Sequence, residues 1–262
     1  RPVEAQASRS PCVGRGFARV GLIGNPGDAL GGPAITLAIA DLWAEAAVEP
    51  SERLRLVEPE PERPEWGSIE DLATHIHQRG YHGGRRLMMA LIQRLASHPC
   101  PEAAAWPLPN FTLSWRTTIP PRVGLGGSSA LLTAAMRALC ELWGLQLTPA
   151  EAVKLLLRVE VKDLGIPAGP QDRVAQVHQG LCHLETDEDE IRVDRLDHAA
   201  LPPLFVAYDE SAGEGTEVFH ASLRERHAAG DSEVVLGIRR LAEITRLARE
   251  CLEMGRGLDL GP

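Results

Sequence analysis

The stretch Pro121-Arg122-Val123-Gly124-Leu125-Gly126-Gly127-Ser128-Ser129-Ala130 decides how this chain is read. Just before it, Phe111 to Trp115 alternates as a half-buried strand; after it, an uninterrupted apolar run over 129–143 predicts a helix. Gly124, Gly126 and Gly127 admit backbone torsions closed to other residues, so successive N–H groups can converge on an anion. The positive end of the helix dipole adds to the same point. Ser128 and Ser129 supply hydroxyls for a phosphate or for Mg2+. The turn is not a Walker A loop, because no Gly-Lys-Ser/Thr follows, and it is not a Rossmann fingerprint. Two other readings compete with a phosphate cradle. One is a plain tight loop capped by serine. The other is a nucleophile elbow: Gly126-Gly127-Ser128-Ser129-Ala130 departs from G-x-S-x-G only at its last residue. Three glycines make a loose approach for that strained turn, and no motif singles out a triad histidine.

Outward from the turn, the chain has 262 residues, 44% hydrophobic and 24% charged, which fits one large globular domain or two small ones. Acids outnumber bases 36 to 27, a net charge of −9 without a basic block, so nucleic-acid and anionic-membrane binding are disfavoured. No apolar run approaches the roughly 18 residues that span a bilayer. Cys12, Cys100, Cys140, Cys182 and Cys251 form no C-x-x-C pair, which excludes a zinc ribbon by spacing and argues against a disulfide framework. A reducing cytoplasm is expected. The N-terminus has no apolar core of a signal peptide and no initiating Met, and the sequence is expected to be an excerpt of a longer reading frame.

Strands are expected at 17–24, 34–40, 54–57 and 111–115, with a Pro/Glu-rich loop at 58–64 and another at 99–109. Ser68 with Asp71 opens a helix, and Arg85 to Ala96 forms an amphipathic one. Thr148-Pro149-Ala150-Glu151 is a capping box with Pro at the first helical position, starting a helix that runs to about Lys162. Paired strands at 180–184 and 191–193, a strand at Leu204 to Tyr208, and helices at 217–229 and 234–252 complete the pattern. Strands and helices that do not strictly alternate indicate an α+β fold.

The glycine/serine turn resembles the second motif of the GHMP small-molecule kinases. Ala18-Arg-Val-Gly-Leu-Ile-Gly-Asn-Pro-Gly-Asp28 is similar to the family's first motif, and Gly165-Ile-Pro-Ala-Gly-Pro-Gln-Asp-Arg-Val-Ala175 to the segment with its catalytic Asp. Glu160 precedes Asp172 by 172 − 160 = 12 positions, a spacing similar to that of the family's metal-binding Glu and catalytic Asp. Within the family the likeness is strongest to plant-type glucuronokinases, through 18–26, Gly80-Tyr-His-Gly-Gly-Arg-Arg-Leu87, 127–130, 169–177 and 218–231. The resemblance implies a GHMP kinase fold, with a ribosomal-protein-S5-like N-terminal domain over 12–200 and an incomplete ferredoxin-like C-terminal domain over 201–262. The family's third motif has no counterpart after Asp231, and Pro170 stands where glucuronokinases usually carry Leu.

The resemblance further implies ATP-dependent, Mg2+-assisted phosphoryl transfer to a sugar hydroxyl, with D-glucuronate giving D-glucuronate 1-phosphate. Asp172 becomes the base or orienter of the attacking hydroxyl, and Arg19 the cation that keeps it ionised or stabilises the transferring group. A guanidinium does not itself serve as base. Gly124, Leu125, Gly126, Gly127, Ser128, Ser129 and Ala130 would hold ATP, and Ser129 with Glu160 the metal. Asn25, Asp28, Gln171 and Arg173 would contact the substrate. Without the resemblance, Asp172 reads as a helix cap, Glu160 as a solvated helix face, Arg19 as a surface residue, and Asn25 to Asp28 as a turn. A uronate carboxylate needs a cation, and the sequence offers Arg85, Arg86, Arg173 and Arg224 without choosing among them. Trp66 and Trp106 read as core or loop anchors, and His75, His77 and His82 as bystanders. Kinase activity on another sugar or small alcohol, or a non-catalytic nucleotide-binding homologue, are the alternatives. Oligomeric state is left open.

Overall fold

The structure, a computed structural model, describes residues 10–57, 65–79, 85–98, 108–187, 190–209 and 216–260. The readings placed on 58–64, 80–84 (His82 included) and 99–107 (Trp106 included) lie outside them. In chain order the elements are β1 (Cys12–Ile23), β2 (Ala34–Pro50), β3 (Leu54–Val57), β4 (Glu65–Trp66), α1 (Ile69–Arg79), α2 (Arg86–Ala96) and β5 (Phe111–Thr117). There follow α3 (Gly127–Trp143), α4 (Pro149–Arg158), α5 (Gln171–His178), β6 (Leu181–Asp187), β7 (Glu190–Leu196), α6 (Thr216–Ala228) and α7 (Ser232–Glu253).

The 17-residue β2 is the spine of the sheet. β1 pairs antiparallel along it from Cys12 opposite Val48 to Ile23 opposite Ile35. On the other edge, β5 pairs with the second half of β2 and β6 with the first, giving the order β4-β3-β5-β2-β6-β7 with β1 attached to β2. Register shifts at Phe17/Ala18 and Gly21/Ile23 bend β1 on either side of Arg19.

α3 lies directly on β1, and the sequence explains how. A Cβ at Gly14 would fall 2.1 Å from the Ala134 carbonyl oxygen, and one at Gly16 would fall 2.1 Å from that of Ala130. Two glycines on the strand face alanines one helical turn apart, so backbone meets backbone. The main core then fills with Leu54, Leu56, Leu91, Leu113, Leu132 and Leu139, and with Phe111 set edge-on to Trp143 at 5.6 Å between ring centroids. Thr148 and Glu151 form the expected capping box, and Asp71 N–H donates to Ser68 Oγ at 3.2 Å.

Two expectations are corrected. The helix expected to reach Lys162 ends at Arg158 and passes into a π-helical turn, Val159–Asp163, closed by Leu164 N–H on the Val159 carbonyl at 3.1 Å. The extra residue in this turn carries Glu160 inward, where it is 1% exposed. Leu204 to Tyr208 is not a strand: Leu204, Phe205, Val206 and Tyr208 are all exposed, Phe205 at 95%. Strand propensity needs a partner edge, and among the described residues none is offered there. From Leu201 onward the described residues form helices, turns and irregular chain but no strand, and α7 packs back on β1, β2 and the 27–30 turn. No helix among the described residues is long and apolar enough to cross a membrane.

Candidate active site

α5 begins beside the glycine-rich turn and supplies four of the side chains that build the site: Gln171, Asp172, Arg173 and Gln176. Arg19 Nε donates to Asp172 Oδ1 at 2.5 Å, and both side chains are only partly exposed. The same arginine donates from a terminal nitrogen to the Gly124 carbonyl at 2.7 Å, and from its backbone N–H to the Leu125 carbonyl at 3.1 Å. Gln176 Nε2 donates to the next carbonyl, Gly126, at 2.9 Å, and the Ser129 hydroxyl donates to it at 3.0 Å. Three successive carbonyls of the turn are thus held from the side of β1 and α5. Gly124 and Gly126, at φ +77° and +70°, make this wrapping possible. A Cβ at Gly126 would stand 3.1 Å from both Arg19 Cγ and Gln176 Nε2. No side chain caps the N-terminus of α3, so its first N–H groups remain for an anion.

The two serines separate sharply. Ser129 is fully buried, its hydroxyl spent on Gly126, whereas Ser128 is exposed and its hydroxyl donates to Glu160 Oε1 at 3.1 Å. The expected pairing of Ser129 with Glu160 is corrected to Ser128 with Glu160. The reason is helix phase: α3 starts at Gly127, two residues earlier than expected, and Ser129 turns to its inner face. The nucleophile-elbow alternative loses its footing here, because the partner of Ser128 is a carboxylate rather than a histidine.

Arg173 is also not where a substrate contact would be. It is 2% exposed and its guanidinium is held inside by an ion pair with Glu160 and by the Gly169 carbonyl at 2.8 Å, 3.7 Å from Asp172 Oδ2. Burial, then the charge of Arg19, pulls its pKa down to about 9, so it is still a cation at neutral pH. Burial also works against the charge of Arg19, but the Asp172 carboxylate outweighs it, aided by Asp28, and the pKa of Arg19 is raised.

The expected substrate turn folds against the start of α5. Asp28 is 3% exposed and accepts Gln171 N–H at 3.2 Å; Gln171 Nε2 donates to Asn25 Oδ1 at 2.7 Å. A Cβ at Gly169 would lie 2.1 Å from Asp28 Oδ2, so glycine is required at this approach. Burial, reinforced by the charge of Asp172, pushes the Asp28 carboxyl up to about 6, against the lowering pull of Gln171 N–H, Arg19 and Arg173.

Magnesium prefers hard oxygen ligands, keeps several waters, and takes one or two carboxylates together with substrate phosphates. Glu160 and Ser128, beside the uncapped end of α3, fit that donor set. No group of three or more His, Cys, Asp or Glu that could hold a metal without a nucleotide occurs among the described residues. Trp66 packs on the core with its ring edge-on to His75 at 5.6 Å, as a loop anchor does. A groove of about 580 Å³ between β7 and the end of α7 shares no residue with this cluster, and its Arg249 is already spanned by Asp194 and Glu253. Gln176 was missed in the sequence. The available signal was its place one helical turn after Asp172, on the same face of α5.

A family model described as the GHMP kinases N terminal domain matches residues 88–180. The chain is 33% identical over 253 residues to Glucuronokinase 1 of Arabidopsis thaliana, covering 91% of this chain and 68% of the relative. It is 36% identical over 249 residues to Probable glucuronokinase 2 of the same plant, covering 90% of this chain and 66% of the relative. The chain therefore spans about two thirds of the length of these relatives. Lactococcus lactis galactokinase complexed with galactose matches in structure with a TM-score of 0.71, over 97% of this chain and 73% of that one, at 15% identity. At that identity the likeness speaks to the fold alone.

Proposed function

The chain belongs to the GHMP kinase family of small-molecule phosphotransferases, and from that premise we propose that it transfers the γ-phosphoryl group of ATP to the anomeric hydroxyl of D-glucuronate. The observation that carries the reading is the Arg19–Asp172 pair, seated between the glycine-rich turn and the Asn25–Asp28 turn. A donor and an acceptor bound at those two turns meet at Asp172.

Phosphoryl transfer asks the protein mainly for positioning and charge neutralisation. The acceptor oxygen attacks the γ-phosphorus while its proton passes to Asp172. The bond from that phosphorus to the β,γ-bridging oxygen breaks, and ADP leaves with the electron pair. Asp172 then releases its proton to solvent. Arg19 holds one carboxylate oxygen in place and faces the charge that builds at the transferring group. The α3 N-terminus and the turn amides receive the phosphates. Ser128 and Glu160 would hold the magnesium that accompanies ATP, which neutralises phosphate charge. Asn25, exposed on its turn, contacts the sugar, and the buried Asp28 and Gln171 hold that turn against α5. The plant relatives named as glucuronokinases support the acid sugar over a neutral one.

The test is ADP release, coupled to an optical readout, against D-glucuronate, D-galacturonate, D-glucose, D-galactose and mevalonate, with phosphorus NMR of the product. Turnover concentrated on D-glucuronate with an anomeric phosphate is expected. Turnover on mevalonate or a neutral hexose alone moves the acceptor to another class.

A further inference from the structure

We propose that Arg224 on α6 is the specificity residue that receives the carboxylate of the acceptor. The inference rests on the sugar-acid reading above and deepens it.

The cations that meet Asp172, Glu160 and Asp163 are already matched. Arg19 is matched by Asp172, Arg173 by Glu160, and Arg94 by Asp163. Arg137 spends its guanidinium on the backbone carbonyls of Arg15, Gln176 and Val177. Of the four arginines offered by the sequence, Arg173 is committed inside, Arg86 is exposed on α2, and Arg85 has contacts of its own. Arg224 differs in where it is held, on the carbonyl that leads into Gly169 and α5. It is half-buried, a terminal nitrogen donates to the Ala168 carbonyl at 2.7 Å, and its Nε is buried with no acceptor. No acidic side chain pairs with it among the described residues. A partly desolvated guanidinium tied to one neutral carbonyl keeps most of its forked donors, and its full charge, for an anion.

Its position selects the anion. Ala168 is four residues before Asp172, so the intervening chain cannot separate them by more than about 14 Å. The next residue, Gly169, abuts the Asp28 carboxylate, and its carbonyl accepts from Arg173. α7, which packs beside α6, closes over the 27–30 turn, where a Cβ at Gly27 would stand 3.4 Å from Leu241 Cδ2. Arg224 therefore holds the chain between the Asp28 turn and the start of α5, the side of the site assigned to the acceptor. A planar guanidinium matches a carboxylate through two parallel N–H donors, a geometry an ammonium lacks. In a uronate only the ring oxygen separates the anomeric carbon from the carbon that bears the carboxylate, so the two groups share one edge of the ring, where Asp172 would take the hydroxyl and Arg224 the carboxylate.

The test compares the parent chain with Arg224→Met, which keeps the aliphatic stem, and Arg224→Lys, which keeps the charge without the fork. KM for D-glucuronate and KM for ATP are measured by ADP release in the same titrations. The expected result is a rise of at least about tenfold in KM for D-glucuronate in Arg224→Met, a smaller rise in Arg224→Lys, and an unchanged KM for ATP. An unchanged KM for D-glucuronate in either variant overturns the assignment while leaving the kinase reading intact. Equal rises in both KM values show a structural role and overturn it as well. A parent chain that turns over no uronate removes the sugar-acid reading, and this assignment with it.

Discussion

Removing the charge of Glu160 exposes how the site is held together. The Glu160 and Arg173 side chains are each 2% exposed and paired with one another, so Glu160→Gln strands a buried guanidinium. Breaking a buried pair by deleting one partner costs about 3–5 kcal/mol. Two acceptors remain for Arg173, the Gly169 carbonyl at 2.8 Å and Asp172 Oδ2 at 3.7 Å, which places the expected loss at the lower end, about 3 kcal/mol. In a chain of this size each kcal/mol moves the thermal midpoint by roughly 2–4 °C, so a drop of roughly 6–12 °C is expected. The double variant Glu160→Gln/Arg173→Met removes the stranded charge and replaces it with a buried apolar side chain. It should recover to within about 1 kcal/mol of the parent, while losing the Glu160 charge beside Ser128 and with it turnover. Urea unfolding followed by circular dichroism reads both variants. A single variant as stable as the parent, or a double variant no more stable than the single, refutes the argument that the pair is a mutual desolvation contract.

Asp28 sets a pH dependence: its carboxyl is raised from 3.8 to about 6, so the folded state holds the proton more tightly than the unfolded chain. The stability it contributes is complete below pH 3.8 and lost as pH rises through about 6, a span worth about 3 kcal/mol. Asp28→Asn should therefore gain on the parent between pH 4 and pH 7 in urea midpoints, and parallel curves would count against it. Ser128→Ala should raise the Mg2+ concentration for half-maximal ADP release, whereas Ser129→Ala should leave it unchanged and cost about 1 kcal/mol of stability; the reverse pattern restores the sequence assignment. Gly16→Ala places a Cβ 2.1 Å from the Ala130 carbonyl oxygen, backbone that cannot swing aside, and should cost at least about 2 kcal/mol in the same unfolding assay.

The glycine-rich turn and its helix were legible because their chemistry is local: three glycines, two serines and the apolar period that follows. The Thr148 capping box was legible for the same reason. What depended on distant partners was not. The second half of β2, with Asp41, Glu45 and Glu49 among alanines, carries little strand character of its own; pairing with β1 and β5 on both edges makes it one. Glu160 read equally as a surface glutamate because its burial needs the π-helical turn and Arg173, 173 − 160 = 13 residues downstream. Leu204 to Tyr208 shows the opposite failure, strand composition with no partner edge among the described residues. The choice between Ser128 and Ser129 turned on where α3 begins, a boundary that local propensity fixes only to within a few residues.

The most direct measurement is steady-state ADP release with ATP, Mg2+ and D-glucuronate, comparing the parent chain with Asp172→Asn. The asparagine keeps an oxygen for Arg19 and loses the proton acceptor, so kcat should fall by about 10²–10⁴-fold with KM for ATP nearly unchanged. An Asp172→Asn variant that turns over D-glucuronate at the parent rate would contradict the placement of the chemistry at Asp172.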